Sequence, residues 1–413
     1  MIRGAGLTLA VAGLAACTGT PAPRQPTPAP DTAVARPAPP AAPVPLPAPL
    51  PAPLPALAAG LVRRPASVRL AFVGDINLGT ATLPDGVPPD TGRGLLGAAR
   101  PALVGDLVVG NFEGVLADTG TSEKCERMRT QEDRPRPPRK HQRQVADTAS
   151  ARPGCYAFRT PTALAPRLVD AGFTHLNLAN NHANDYGPAG RASTDRILDS
   201  LGLRRYGPLG RIAIDTVRRG DSLTTVGLVG FATYPYAYDL LDIGRSAAVV
   251  DSIRPLVDLL IVTFHGGSEG VRALHVPEMA ESLGREPRGD LRRWARAVID
   301  AGADAVVGHG PHVLRGIEFY RDRPVAYSLG NFVTYRGFNL EGPLGVTGVL
   351  QLEFAPDRRL RRARLVPMVQ RPREGPVPDP AGAALDLVRR LSADDFGGTA
   401  ARVSEYGELS APN

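Results

Sequence analysis

The chain has 413 residues, of which 43% are hydrophobic, enough to bury the core of one large domain or two ordinary ones, so it is not disordered as a whole. Its formal net charge of +7 at pH 7 fits a polyanionic partner or an acidic membrane surface; a genome that favours arginine codons is the alternative explanation. No nucleic-acid-binding motif is evident and aromatic residues make up only 5%, so we expect no nucleic-acid partner.

The first residues are typical of an export signal. Arg3 is a minimal positive region, and residues 7–16 form a short apolar stretch that is too short to span a membrane. The stretch ends in Leu-Ala-Ala-Cys at Cys17, which resembles a bacterial lipobox, where cleavage before the cysteine is followed by lipidation of its sulfur. We therefore expect residues 1–17 to be a lipoprotein signal peptide and the protein to be membrane-anchored in the cell envelope, facing the periplasm or the cell surface. Ordinary secretion is the alternative.

Residues 18–66 are dominated by proline and alanine and show no amphipathic period. This composition predicts an extended, polyproline-II-like spacer. At about 3.1 Å per residue, the spacer would hold a domain on the order of 100 Å from its anchor.

The folded part is predicted to be an α/β domain at residues 67–375, because apolar, strand-like runs alternate there with helical patterns. Residues 376–413 are expected to form a C-terminal helix and tail. The predicted helices are 163–171, 189–201, 290–301 and 381–391.

A polar insertion rich in arginine and proline occupies residues 121–157 and is predicted to be a surface loop. If Cys17 is lipidated, Cys125 and Cys155 are the remaining cysteines. In an oxidising compartment a disulfide between them would close a loop worth roughly 3 to 4 kcal/mol. Two free buried thiols are the alternative.

Apolar runs in this domain end repeatedly in residue types that bind metals or catalyse reactions. Each motif is weak alone, but four of the seven histidines follow apolar runs directly. The carboxyl ends of strands in open α/β sheets line one crevice, so side chains distant in sequence can meet there. Imidazole, carboxylate and amide groups together suit Zn²⁺, Mn²⁺ or Fe²⁺ rather than Ca²⁺. The remaining histidines, His141, His175 and His275, are interpreted as structural or solvent-facing.

The order GD, GNFE, NNHANDYG, HGGSEG, GHGPHV and YSLGNF, over about residues 68–368, resembles the poly-γ-glutamate capsule synthesis (CapA-like) family, itself similar to calcineurin-type metallophosphoesterases. The resemblance implies a four-layer α/β/β/α sandwich with a divalent metal ion (Mn, Zn or Fe) at the strand ends. It implies as metal ligands Asp75, Glu113, Asn181, His265, His309 and His312. It makes His182, oriented by Asp185, the catalytic general acid. The substrate-binding candidates are Asn77, Asn111, Asn180, Glu269, Ser328 and Asn331.

Three departures from the phosphoesterase pattern accompany this resemblance. Asn77 replaces a histidine, Glu113 replaces an aspartate, and two residues rather than one separate His309 from His312. These changes leave the first metal position short of a strong ligand. The alternatives are a site that binds one metal ion and a site that is weakly occupied.

The resemblance implies a role in the synthesis of an anionic cell-surface polymer such as poly-γ-glutamate. We expect a metal-dependent hydrolase or transferase that cleaves an amide or phosphoester while His182 protonates the leaving group. One alternative is a non-catalytic accessory that helps membrane-bound synthase subunits bind or export the polymer. Another is a generic metallophosphoesterase.

Overall fold

The computed structural model describes residues 66–122, 124–126 and 155–412. The predicted signal peptide, almost all of the predicted spacer and most of the insertion, including His141, lie outside the described residues. Within the described ranges, no helix is long and apolar enough to cross a membrane.

Two large β-sheets, two two-stranded sheets, five α-helices and several short 3-10 helices make up most of the described part of the chain. The strands are β1 (Val68–Asn77), β2 (Leu107–Phe112), β3 (Val115–Leu116), β4 (Arg159–Thr160), β5 (His175–Asn177), β6 (Arg204–Tyr206), β7 (Ala213–Arg219), β8 (Ser222–Ala232), β9 (Tyr238–Asp239), β10 (Leu259–His265), β11 (Glu281–Leu283), β12 (Glu286–Gly289), β13 (Ala305–His309), β14 (Ile317–Tyr320), β15 (Arg323–Ala326), β16 (Asn331–Thr334), β17 (Val346–Phe354), β18 (Leu360–Arg371), β19 (Gly375–Pro378), β20 (Arg402–Val403) and β21 (Glu408–Ser410). The α-helices are α1 (Pro166–Ala171), α2 (Gly187–Ser200), α3 (Ile243–Ile253), α4 (Leu291–Asp300) and α5 (Ala383–Phe396).

The first sheet has the order β20-β21-β18-β17-β1-β2-β5-β6, with β16 paired to β1 and β19 to β18. The second has the order β14-β15-β13-β10-β8-β7, with β9 paired to β8. Their central pairs, β1 with β2, β2 with β5, and β10 with β8 and β13, are parallel. Parallel pairing brings the carboxyl ends of these strands to one edge of each sheet.

Alternation along β1 shows how the layers are built. Leu70 and Phe72 point into the core between the two sheets, where they meet Ile261 of β10. The intervening Ala71 and Val73 face outward into a second core. Successive side chains of a strand lie on opposite faces, so a strand that is apolar throughout must be covered on both sides.

Helices provide this outer cover. Helices α1 and α2 bury Leu168 and Leu198 against the outer face of the first sheet. Helices α3 and α4 bury Val250 and Trp294 against the outer face of the second. The four-layer α/β/β/α sandwich implied by the resemblance is thereby confirmed.

The C-terminal segment belongs to the same domain instead of forming a tail. The predicted boundary at residue 375 falls at the start of β19, which pairs with β18, and β21 pairs with β18 as well. Helix α5 adds Leu385, Val388 and Leu391 to the core between the sheets. The folded domain therefore extends to residue 412.

Cys125 and Cys155 form a disulfide bond with a Cα–Cα distance of 5.1 Å and a sequence separation of 30 residues. A cross-link across a loop of this length reduces the entropy of the unfolded chain. We expect the C125S/C155S variant to lose about 3 to 4 kcal/mol of unfolding free energy, measured by urea denaturation. Wild-type protein treated with a reductant should lose the same amount. Equal stabilities of the oxidised and reduced proteins would contradict this expectation.

Candidate metal centre

The ends of strands from both sheets bring acidic and imidazole groups together. Asp75 lies near the end of β1, and Glu113 follows β2 directly. From the second sheet, His265 ends β10 and pairs in register with His309 at the end of β13. All four side chains are buried.

Close approach between β1 and the turn before β16 requires glycine at position 74. A Cβ atom there would lie 1.9 Å from the carbonyl oxygen of Gly330, a contact no side chain allows. The approach lets the Asp75 N–H donate to the Gly330 carbonyl at 2.9 Å. Glycine in the GD motif thus fixes the position of the Asp75 carboxylate.

Glu113 is the most unusual residue of the site. It is fully buried, yet neither of its carboxylate oxygens has a hydrogen-bond partner. Three imidazole Nε2 atoms surround its Oε1, at 3.8 Å for His312 and 3.9 Å for both His182 and His265. Burial, together with the charge of Asp75, raises the pKa of the Glu113 carboxyl well above its usual range.

Asp75 shares the histidines of this site. Its Oδ1 accepts a hydrogen bond from Asn111 Nδ2 at 2.9 Å, and His312 Nδ1 lies 3.1 Å from its Oδ2. Burial alone would raise the pKa of Asp75, but His309 and His312 outweigh it and hold that pKa below its usual range. Burial would likewise lower the pKa of His312, but Glu113 and Asp75 raise it to about 10. The carboxyl groups of Asp75 and Glu113 therefore favour a positively charged group beside them.

Donor atoms of Asp75, Glu113 and His312 all lie within 4.8 Å of one another, a spacing that could hold a metal ion. Several buried polar atoms around them lack hydrogen-bond partners: both Glu113 oxygens, His265 Nε2, His309 Nδ1 and Asn181 Oδ1. Unpaired buried polar atoms are costly, and native proteins seldom leave them together. A divalent cation would satisfy carboxylate and imidazole atoms simultaneously, so the residues present fit a metal ion.

Asparagine side chains form hydrogen bonds around this centre and hold its residues in place. The Oδ1 of Asn111 accepts from Asn177 Nδ2 at 3.0 Å and from Asn180 Nδ2 at 3.1 Å. Asn331 Oδ1 lies 3.0 Å from His312 Nδ1, and Asn331 Nδ2 donates to the His312 carbonyl at 3.1 Å. His312 has a left-handed backbone with φ of 61°, and these two bonds hold it there.

Two further substrate-binding candidates also make hydrogen bonds within the protein. Asn77 Nδ2 donates to the Glu113 carbonyl at 3.3 Å, and Ser328 Oγ accepts from the Gly330 N–H at 3.2 Å. Asn77, Asn111, Asn180, Ser328 and Asn331 are buried and none lines the cleft described below. The structure gives them supporting positions around the centre, whereas Glu269 lies in the cleft wall.

His182 and Asp185 form a hydrogen-bonded pair beside Glu113. The His182 Nδ1 and Asp185 Oδ2 atoms are 2.6 Å apart, and Asp185 also accepts from the Phe158 N–H at 2.8 Å and from Lys124 Nζ at 2.9 Å. Burial lowers the pKa of His182, although Asp185 opposes this shift. The Phe158 ring packs against the imidazole with ring centroids 4.2 Å apart. The imidazole is therefore fixed with Nε2 toward Glu113.

Comparison with known proteins finds a family that part of the chain resembles. Residues 143–336 match the family model described as bacterial capsule synthesis protein PGA_cap. This part of the chain is similar to the capsule synthesis family, so we call the domain CapA-like.

Curated relatives agree with this assignment. The chain is 32% identical over 188 residues to the PGA biosynthesis protein CapA of Bacillus subtilis, covering 41% of this chain and 45% of that protein. It is 30% identical over 188 residues to the capsule biosynthesis protein CapA of Bacillus anthracis, covering 41% and 42%. A probable polyglutamine synthesis accessory protein of Mycobacterium tuberculosis is 28% identical over 218 residues, covering 45% and 51%. The matches span about half the length of these relatives.

Among solved structures, a putative 5'-nucleotidase from Staphylococcus aureus has a TM-score of 0.38 and 15% identity, covering 78% of this chain and 58% of that chain. The 5'-nucleotidase precursor of Thermus thermophilus has a TM-score of 0.36 and 14% identity, covering 78% and 58%. Likenesses this weak say nothing about activity, and the architecture of the CapA-like domain rests on its own strand order and cores.

The metal centre of the CapA-like domain opens into a cleft of about 740 Å³. Its lining includes Asn181, His182 and His312 from the predicted site. Sequence reasoning missed other lining residues, among them Lys124, Phe158, Tyr234, Tyr236, Glu286, Arg288 and Phe338. They belong to no recognised motif, and Glu286 and Arg288 lie in strand β12, so no signal in the sequence marked them.

Arg288 is the buried cation of this wall. It donates to Glu269 Oε1 at 2.8 Å, to Glu286 Oε1 at 3.0 Å and to the Tyr234 hydroxyl at 2.8 Å. The Tyr234 and Tyr236 rings stack beside it, with centroids 5.7 Å apart. Glu269 is thus held in an ion pair at the cleft wall and lies outside the three-residue metal group.

His175 and His275 lie away from the centre and pair with carboxylates. His175 Nε2 is 2.5 Å from Asp215 Oδ2, and His275 Nδ1 is 2.7 Å from Asp395 Oδ1. Both are positioned as structural side chains.

The pair of His175 and Asp215 gives a pH-dependent prediction. Burial raises the pKa of Asp215, but His175 outweighs it and leaves the pKa lowered. A folded-state pKa below the unfolded value of about 3.9 stabilises the protein above about pH 4, and this stability is lost as the pH falls through the folded-state pKa. We expect D215N to reduce the unfolding free energy by about 1 kcal/mol at pH 7 and by less near pH 3, measured by urea denaturation. A difference independent of pH would contradict the ion pair.

Proposed function

We propose that this CapA-like protein acts in poly-γ-glutamate synthesis as a metal-dependent hydrolase or transferase of the anionic polymer. The relatives named for PGA and capsule biosynthesis support the substrate class. The observation behind the chemistry is the Glu113 carboxylate, which is buried without a hydrogen-bond partner among three imidazoles at the base of an open cleft.

Asp75, Glu113 and His312 would hold the ion, with His309, His265 and Asn181 as further donors around it. Imidazole and carboxylate donors suit Mn²⁺, Zn²⁺ or Fe²⁺. A divalent ion in this place supplies Lewis-acid chemistry toward a carbonyl or phosphoryl oxygen.

The chain's own contribution is the pair of His182 and Asp185. The Asp185 carboxylate accepts a hydrogen bond from the N–H at His182 Nδ1. This leaves Nε2 as the atom that exchanges a proton with the reacting groups. Lys124 holds the other Asp185 oxygen at 2.9 Å, so the carboxylate keeps its orientation. Phe158 and Phe338 cover the rings of His182 and His312 and limit the access of water.

A binding or export accessory is the second candidate, favoured by the accessory role in the name of the mycobacterial relative. Such a protein needs a cleft for the polymer but no proton-transfer pair. The position of His182 Nε2, 3.9 Å from Glu113 and on the cleft wall, favours the enzyme.

The experiment that tests the proposal is incubation of purified poly-γ-glutamate with protein loaded with Mn²⁺, Zn²⁺ or Fe²⁺, followed by size analysis of the polymer. If the protein is an enzyme, it should shorten the polymer or transfer its ends in the presence of the metal ion, and a chelator should abolish this activity. Binding without any change in the polymer would support the accessory. Turnover of simple phosphoesters, with the polymer left intact, would support a generic phosphoesterase.

We further propose that the protein is an exported lipoprotein that works beside membrane-bound synthase subunits. The lipobox-like motif at Cys17 supports this localisation. The C17A variant, produced in a bacterial host, is expected to move from the membrane fraction to the soluble fraction and to lose incorporation of labelled fatty acid. An unchanged distribution would contradict the lipid anchor.

A further inference from the structure

A second concave surface lies at the hairpin tips of the two sheets. It has a volume of about 480 Å³, and five arginines and one acid line it. We call this surface the arginine groove; the lining arginines are Arg321, Arg323, Arg359, Arg361 and Arg362, and the acid is Asp322. The β14–β15 turn supplies one wall and the start of β18 supplies the other.

The guanidinium groups of the groove are accessible. The exposed fractions of the Arg359, Arg361 and Arg362 side chains are 82%, 61% and 57%. Their partners Asp357, Glu353 and Glu408 are also at the surface, where water and salt screen such ion pairs. An incoming anion can therefore compete for these arginines.

Positively charged side chains also outnumber acidic ones in the residues behind the wall of the groove. The buried Asp304 carboxylate is shared by Arg254 at 2.7 Å, Arg323 at 3.1 Å and Arg358 at 3.0 Å. Asp304 and Asp258, which also acts on Arg254, carry two negative charges against three guanidinium groups, which leaves a local positive excess beside the groove.

The arginine groove is separate from the metal centre. Its strand β18 begins at Leu360, which pairs with Phe354, and Phe354 pairs with Val68 at the start of β1. Asp75 lies seven residues further along β1, which corresponds to roughly 23 Å at about 3.3 Å per residue. The groove and the cleft share no lining residue.

We propose that the arginine groove is a second binding site for a chain of carboxylates, remote from the metal centre. Arginine forks match carboxylates geometrically, and the buried Phe319, Ala363 and Leu409 give the groove an apolar floor for the methylene units between them. The recessed shape, walled by both sheets, fits a narrow chain better than a flat membrane surface. The identity of the polymer as poly-γ-glutamate rests on the proposed function.

The test is the binding of fluorescently labelled poly-γ-glutamate, measured by anisotropy with the full chain in chelator at low ionic strength. The R359S/R361S/R362S variant is expected to bind at least about tenfold more weakly, since each charge-assisted bond contributes more than a neutral one. The matched control R93S/R196S/R218S removes three exposed arginines elsewhere and should change the affinity by less than about threefold.

Equal losses of affinity in both triple variants would contradict the proposed arginine groove. So would unchanged polymer binding together with arginine-dependent binding of phosphatidylglycerol vesicles, which would assign the surface to a membrane. If the serine variant does not fold, R359K/R361K/R362K replaces it and is expected to bind the polymer more weakly than the wild type, because lysine lacks the fork; affinity equal to the wild type's would count against the groove.

The two proposals fail separately. Arginine-dependent binding without processing of the polymer supports the groove and contradicts the enzyme. Processing of the polymer without arginine-dependent binding contradicts the binding site in the arginine groove and leaves the proposed enzyme intact.

Discussion

The E113Q variant is expected to lose stabilisation by divalent ions while becoming at least as stable as the wild type in chelator. Glu113 is fully buried without a hydrogen-bond partner, so its charge destabilises the metal-free protein and stabilises the metal-bound one. An ion at a hundred times its dissociation constant would stabilise the wild type by about 2.7 kcal/mol. Thermal unfolding with Mn²⁺ or Zn²⁺ and with EDTA measures both effects.

The matched control is E269Q, which removes a carboxylate from the cleft wall, outside the Asp75, Glu113 and His312 group. It should keep the metal-dependent stabilisation. If E113Q were stabilised by the ions as much as the wild type, Glu113 would not be a ligand.

The H182Q variant is expected to slow polymer processing by about 10²- to 10⁴-fold, the usual contribution of a positioned acid or base. The metal-dependent stabilisation should remain, because the three-residue metal group does not include His182. D185N should also slow the reaction, since Asp185 fixes the His182 ring through a 2.6 Å contact. Size analysis of the treated polymer measures the rate.

H175Q serves as the control for H182Q, because His175 is a buried histidine that pairs with Asp215 away from the cleft. It should leave the rate within about threefold of the wild type. Processing by H182Q at the wild-type rate would remove His182 from the mechanism and favour the accessory role.

The convergence of the strand ends could be predicted from local sequence. Apolar runs such as the one ending at Asp75 must be strands buried on both faces, and parallel strands expose their carboxyl ends together. This is why Asp75, Glu113, His265 and His309, more than 200 residues apart at the extremes, were expected in one site. The four-layer architecture followed from the family resemblance, and the cores confirm it.

The walls of the cleft depend on tertiary contacts that no local pattern encodes. Lys124 reaches Asp185 from near the start of the insertion, and Arg288 becomes buried through Glu269 and Tyr234. Motif reading also placed Asn77, Asn111, Asn180 and Asn331 in one substrate-binding group, apart from the predicted metal ligand Asn181. Whether an amide such as Asn111 faces the ligand or supports Asp75 depends on side-chain packing, which the sequence does not contain.

Helix α3 and the C-terminal strands were missed for a different reason. Helix α3 begins after Asp242, whose side chain caps the Arg245 N–H, and this short helix has few charged residues to mark an exposed face. Strands β19 and β21 are short and are defined by their pairing with β18, not by a hydrophobic period.

Anomalous X-ray scattering from crystals grown with Mn²⁺ or Zn²⁺ tests the central claim most directly. The metal centre predicts an anomalous peak enclosed by Asp75, Glu113 and His312 in the wild type and its absence in E113Q. A fully ordered site without any peak, or an ion bound elsewhere while Glu113 stays unpartnered, would contradict the metal centre.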